Sequence, residues 1–84
     1  MIEHRYSVQS VRSAIQILKL FSEEKTEWCL SEIAKIKDWS PSTTKRLLDM
    51  LVKYGYLKKS VKKIYTLDHS ILRLAGVVKV TMDI

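Results

Sequence analysis

Ser42, Thr43, Lys45, Arg46, Asp49 and Lys53 lie close together in the chain, and Lys58, Lys59, Lys62 and Lys63 follow them closely. Hydroxyl, ammonium and guanidinium groups at this density suit one kind of chemistry, hydrogen bonding to phosphate oxygens and base edges. Arg46 has a planar fork that matches the two acceptors of guanine, whereas Lys45 is a less directional charge. Asp49 has two readings: it accepts from a cytosine amino group, or it pairs with Lys45 or Lys53 at helical spacing.

Such groups work together only if one element presents them on one side. With Thr44 at zero on a helical wheel of about 100° per residue, Leu47, Leu48 and Leu51 gather near zero and face a core. Ser42, Arg46, Asp49 and Lys53 then fall on the opposite side, flanked by Thr43 and Lys45. Taken alone, this is equally the pattern of an ordinary amphipathic helix with a solvated face, so the neighbouring elements decide. Ser40-Pro41 is a strong helix start, because Ser caps a free N–H and Pro at the first position loses no hydrogen bond. Gly55 supplies a left-handed terminus. The spacing therefore predicts a helix over 40–53.

Upstream, Val11, Ala14, Ile15, Leu18 and Phe21 recur at helical spacing from Ser10, and the Glu23–Thr26 cluster is expected to end that helix. Trp28-Cys29-Leu30 reads as a brief strand. Ser31 is a candidate cap for a short second helix carrying Ile33, Ala34 and Ile36. About three residues then join it to the 40–53 helix, as a helix–turn–helix requires. Tyr56-Leu57 and Ile64–Leu67 are rich in strand formers, and the lysine-rich 58–63 segment between them predicts a basic hairpin, or wing. Its tip lacks Gly, Asn and Asp, so the turn type stays open. Asp68 or Ser70 starts a last helix to about Val78, while the alternation from Val78 to Ile84 is a strand pattern and leaves the end open. The expected fold is α+β and mostly helical: a winged helix–turn–helix with a three-helix core, a small β-hairpin wing and an extra C-terminal helix. It divides into an N-terminal extension (1–9), the winged helix–turn–helix domain (10–67) and a C-terminal helix or tail (68–84), which is a candidate dimerisation element.

Charge agrees with this layout. The chain of 84 residues carries a formal net charge of +6. Residues 1–34 hold four Lys and Arg against five Glu, a balance of −1, and residues 35–84 hold eleven against four Asp, a balance of +7. A basic half beside a near-neutral half is the footprint of a polyanion binder. Hydrophobic residues at 46% and charged residues at 29% mark a globular chain, not a disordered one.

Other classes find little support. Cys29 is the single cysteine, so an intrachain disulfide and a cysteine-rich metal site are excluded, and a buried, inert thiol is expected. His4 and His69 are far apart in sequence, and neither a metal nor a cofactor is expected. No nucleophile, base and acid assemble in credible order and no Gly-rich phosphate loop occurs, so the chain reads as a non-enzyme. The N-terminus is charged and has no apolar stretch of the kind a secretory signal needs. No apolar run nears the roughly 20 residues of a membrane span. A cytoplasmic location with no membrane partner is expected.

Ser10-Val11, Ala14-Ile15, Ile17-Leu18, Leu30-Ser31-Glu32-Ile33-Ala34, Ser42-Thr43, Arg46-Leu47-Leu48, Leu51-Val52, Gly55-Tyr56-Leu57 and Tyr65-Thr66-Leu67 together resemble the DNA-binding domain of IclR-type transcriptional regulators, over roughly residues 10–75. The resemblance implies a winged helix that binds operator DNA as a dimer, with Ser42, Thr43, Lys45 and Arg46 at the contacting positions. Three departures stand out. The family's large C-terminal effector domain would begin where this chain ends, so no small-molecule effector domain is expected in this chain. Asp38 stands where a turn Gly is usual, and Asp tolerates the left-handed region. The usual wing Gly is missing.

The leading expectation is thus a sequence-specific regulator of double-stranded DNA, with helix 40–53 in the major groove and wing 58–63 on the backbone. It would act as a homodimer through its first helix, its tail or both. Two alternatives share the fold: a protein-interaction adaptor and a nonspecific DNA-coating protein. RNA ranks lower, because base-stacking aromatics on an open sheet are not evident.

Overall fold

The hydrophobic spacing resolves into six elements in the computed structural model, which describes residues 8–82, with side chains described as far as residue 78. They are α1 (Val8–Leu18), α2 (Leu30–Lys37), α3 (Pro41–Lys53), β1 (Leu57–Lys59), β2 (Tyr65–Leu67) and α4 (His69–Met82). Ile17 of α1, Ile33 of α2, Leu48 of α3, Leu57 of β1 and Tyr65 of β2 are all essentially sealed from solvent and meet in one cluster. Each element before α4 thus contributes at least one fully buried side chain. The three-helix core with its hairpin is held by a single apolar contact network.

The first helix differs from expectation at both ends. It begins at Val8, so residues 8–9 of the expected extension are helical; Gln9 Nε2 donates to Ser13 Oγ one turn on, at 3.4 Å. Residues 1–7 lie outside the described residues, as does His4 with them. At the other end α1 stops at Leu18, well before the Glu23–Thr26 cluster. The Leu20 and Phe21 N–H groups bond to carbonyls three residues back, at 3.0 and 3.3 Å. This tighter winding swings Leu20 and Phe21 against the core. Ser22 and Lys25 then exchange backbone hydrogen bonds and close a turn. The apolar stripe is also wider than the core that covers it, leaving Val11 and Ile15 about half exposed.

The brief strand around Trp28 is a single antiparallel bridge to Tyr65, with N–H to O distances of 3.1 and 2.7 Å. That bridge fixes where α2 starts. Cys29 emerges from it in extended conformation (φ −107°, ψ 165°) and becomes the N-cap, which places Glu32 at the third helical position. Glu32 Oε1 accepts the Cys29 N–H at 3.0 Å. Ser31, expected as the cap, is therefore already inside the helix. Cys29 is half-buried rather than enclosed, with Sγ 3.2 Å from Ser31 Oγ.

The α2–α3 turn depends on Asp38, whose φ of 59° and ψ of 45° lie in the left-handed region. A short polar side chain tolerates this geometry better than other L-residues do. Ser40 and Pro41 then start α3 as the sequence predicts: Ser40 Oγ accepts the Thr43 N–H at 3.2 Å, and its carbonyl accepts the buried Thr44 hydroxyl at 2.9 Å. Tyr54 and Gly55 (φ 83°) end it.

Beta strands β1 and β2 pair antiparallel with Leu57 opposite Leu67, Lys58 opposite Thr66 and Lys59 opposite Tyr65. The turn that lacked its usual residues is solved by Ser60 and Lys63. Ser60 Oγ accepts from the Lys62 and Ile64 N–H groups, each at 3.2 Å, and Lys63 takes the left-handed conformation at φ 65°. Helix α4 passes the expected end near Val78 and runs to Met82. The alternation that begins at Val78 is thus overridden as far as Met82, where the helix begun at His69 continues. Residues 83–84 lie outside the described residues.

Candidate nucleic-acid interface

Helix α3 is seated by Thr44, Leu47, Leu48 and Leu51, all buried. Their packing turns Ser42, Lys45, Arg46, Asp49 and Lys53 outward, and all five are exposed. Thr43 is half-buried, with its N–H engaged by the Ser40 cap. Arg46 has no acidic partner among the described residues, so its donors are available to an acceptor from outside. Lys45 is engaged: its Nζ donates to Asp49 Oδ2 at 2.7 Å, one turn further along. Of the two sequence readings of Asp49, the pairing with Lys45 is the one present in the free chain. Asp49 also raises the Lys45 pKa, through that hydrogen bond and its charge. Lys53 lies at the far end of α3, with Nζ 5.7 Å from the centre of the Tyr54 ring.

The wing lysines divide by strand geometry. Successive residues of a strand face opposite sides, so Lys58 and Lys59 separate. Lys59 lies 5.7 Å from the centre of the Tyr65 ring. With Lys62, Lys63 and Lys45 it borders a shallow groove between the wing and the start of α2. Lys58 does not line this groove; it is near enough to Asp68 to help hold that carboxylate below its ordinary range, behind the larger effect of the His69 N–H and ring. The structure thus gathers Lys45, Lys59, Lys62 and Lys63 at one place and leaves Lys58 apart. No acidic side chain pairs with Lys59, Lys62 or Lys63 among the described residues.

Ser31 also borders the groove, a residue the sequence reading treated only as a cap. Its position at the start of α2 adds a hydroxyl and a helix N-terminus to the lysines. The signal was present in Ser31-Glu32, but its placement beside the wing depends on the long-range Trp28–Tyr65 bridge. Among the described residues no group of three or more His, Cys, Asp or Glu is arranged to hold a metal. No helix among them is long and apolar enough to cross a membrane.

Comparisons with known proteins converge on this arrangement. The family model of the IclR helix-turn-helix domain matches residues 10–60. The HTH-type transcriptional regulator XynR of Escherichia coli (strain K12) is 42% identical over 53 residues, which is 63% of this chain and 21% of that protein. Among solved structures, an IclR family transcriptional regulator from Brucella abortus superposes with a TM-score of 0.79 at 29% identity, over 93% of this chain and 30% of that one. HmgR of Pseudomonas aeruginosa gives a TM-score of 0.79 at 26% identity, over 90% of this chain and 33% of that one. The chain therefore spans about a fifth of the curated relative and about a third of each solved chain. The family model spans α1 to β1 and the fold superposes over nine-tenths of the chain, which is sufficient: this chain belongs to the IclR helix-turn-helix domain family.

Proposed function

We propose that the chain is a sequence-specific, double-stranded-DNA-binding element of a transcriptional regulator, working in the cytoplasm and without catalysis. The observation that carries this reading is the outward face of α3: Ser42, Lys45 and Arg46 stand exposed on a helix whose leucine side is locked in the core. In this reading α3 enters the major groove, Arg46 addresses a guanine, and Ser42 and Thr43 contact the backbone or neighbouring base edges. Lys59, Lys62 and Lys63 follow the adjacent phosphates, with Ser31 beside them. Lys58 and Lys53 make outlying backbone contacts.

The chain acts as a homodimer in this reading. Val11 and Ile15 of α1 and Leu72, Leu74 and Val78 of α4 expose apolar surface, which a monomer would leave in water. Val11, Ile15, Leu18, Met50, Tyr54 and Tyr56 also line an apolar groove. A dimer lets two half-sites about 34 Å apart be read together.

The test is duplex binding after selection from a random pool. Arg46→Ala should weaken the selected duplex by about 1–3 kcal/mol and relax preference at one base pair. Lys-to-Ala changes at Lys59, Lys62 and Lys63 should weaken all duplexes alike and lower the slope of log affinity against log salt by about 0.9 for each phosphate no longer neutralised. Absence of duplex binding would favour the adaptor role instead. Equal affinity for selected and random duplexes would favour a coating protein.

A further inference from the structure

Asp49 is the one carboxylate on α3, and it stands on the face that also carries Arg46 and Lys45. A negative charge there opposes a phosphate backbone, so its presence needs a reason. Its partner supplies one. Asp49 Oδ2 holds Lys45 Nζ at 2.7 Å, although both side chains are more than half exposed (52% and 57%). Lys45 also borders the groove formed with Lys59, Lys62 and Lys63, none of which has an acidic partner among the described residues. Of these four groove lysines, Lys45 alone is neutralised from within the chain.

Resting on the DNA-binding reading above, we propose that Asp49 is a specificity-determining residue that acts as an internal stand-in for a phosphate, holding Lys45 back from indiscriminate backbone contact. The effect is differential. Nonspecific association draws nearly all its free energy from cation–phosphate contacts and counterion release. A matched complex adds base contacts, here from Arg46. In the matched register, which Arg46 fixes through its base contacts, the Lys45–Asp49 pair stays intact. Loose association must break the pair or do without Lys45 beside an uncompensated anion, so the loose mode loses more free energy than the matched one. The ratio between them rises, even though neither complex acquires a new interaction. Discrimination through an unfavourable element is a general route to specificity. The separation of four along a helix keeps the two charges within reach of each other before any duplex arrives.

Asp49→Asn removes the charge and keeps the shape at an exposed site, so the fold is retained. Binding of the 84-residue chain to a random-sequence duplex, and to a duplex selected from a random pool, is measured between about 50 and 200 mM salt. The variant should bind the random duplex more tightly, with a log–log salt slope steeper by about 0.9, equivalent to roughly a further threefold loss across that range. Affinity for the selected duplex should change less, so the ratio of the two falls. Asp49→Glu should stay close to the parent chain. The double variant Lys45→Gln, Asp49→Asn should return to the parent slope, because the released cation is gone. An unchanged slope in Asp49→Asn, with the parent chain binding normally, overturns this proposal and leaves the DNA reading intact. So does loss of the selected duplex with the random one unaffected, since the carboxylate is then reading a cytosine amino group. A parent chain that binds neither duplex overturns both.

Discussion

At the scale of residues, the starts of α2 and α3 each depend on one polar side chain. Ser40 Oγ is the side-chain acceptor for the Thr43 N–H at the mouth of α3. Replacing it with Ala should lower stability by about 1 kcal/mol, and replacing it with Gly by only a few tenths. Urea unfolding checks this as a fall in midpoint with unchanged slope. Glu32 has the equivalent role for α2. The Cys29 N–H, then Lys25, hold its carboxylate below the ordinary glutamate range, and the His69 N–H does the same for Asp68. Since both groups bind protons less readily when folded, the unfolded chain takes up more protons as the pH drops. Their contribution is complete above the ordinary carboxylate range and disappears as the pH falls through and below about 4. Unfolding midpoints measured between neutral pH and that range should fall toward acid, and Glu32→Gln should flatten the fall. Ser40 was readable in the sequence because its cap is local: Ser-Pro before an apolar repeat specifies the geometry without help. Cys29 was not, since its role as a cap is set by Tyr65, far along the chain.

At the scale of elements, the wing shows what patterning specifies and what it leaves open. Strand-forming residues on both sides of four lysines gave the hairpin. They could not give its turn, because no Gly, Asn or Asp was present to announce one. The solution is Ser60, whose hydroxyl gathers the Lys62 and Ile64 N–H groups, with Lys63 in the left-handed region. Ser60→Ala should therefore leave global stability nearly unchanged, within about 1 kcal/mol. Amide exchange at Lys62 and Ile64 should accelerate, with weaker affinity for all duplexes. The split of the lysines was legible in principle from strand alternation. Which side faced the groove required the register of Lys59 opposite Tyr65. Helix α4 outran its expected end because a short alternating stretch that continues an apolar helical repeat is an ambiguous signal.

At the scale of the whole molecule, a chain of this length buries only roughly 60% of the surface its unfolded form exposes. Val11, Ile15, Leu72, Leu74 and Val78 nonetheless leave apolar surface in water. If the chain pairs as proposed, sedimentation equilibrium should find a dimer. Ile15→Lys with Leu74→Asp should shift that equilibrium to monomer while circular dichroism stays native-like, because both sites are exposed. The same variant should lose more affinity for a duplex with two half-sites than for one with a single half-site. A chain that stays monomeric at every concentration counts against the homodimer. This surface was only half visible beforehand: the periodicity marked both helices as apolar, but not how much of each stripe the core would leave uncovered.

Trp28 and Tyr65 exchange two backbone hydrogen bonds, and their neighbours lead in one direction into the α2 cap and in the other along the wing. The hairpin is thus not an independent flap. In the DNA-binding reading proposed above, a duplex that tilted it by gripping its lysines would also tug the entrance of the second helix, so the two surfaces would shift in concert, as linked jaws rather than separate fingers.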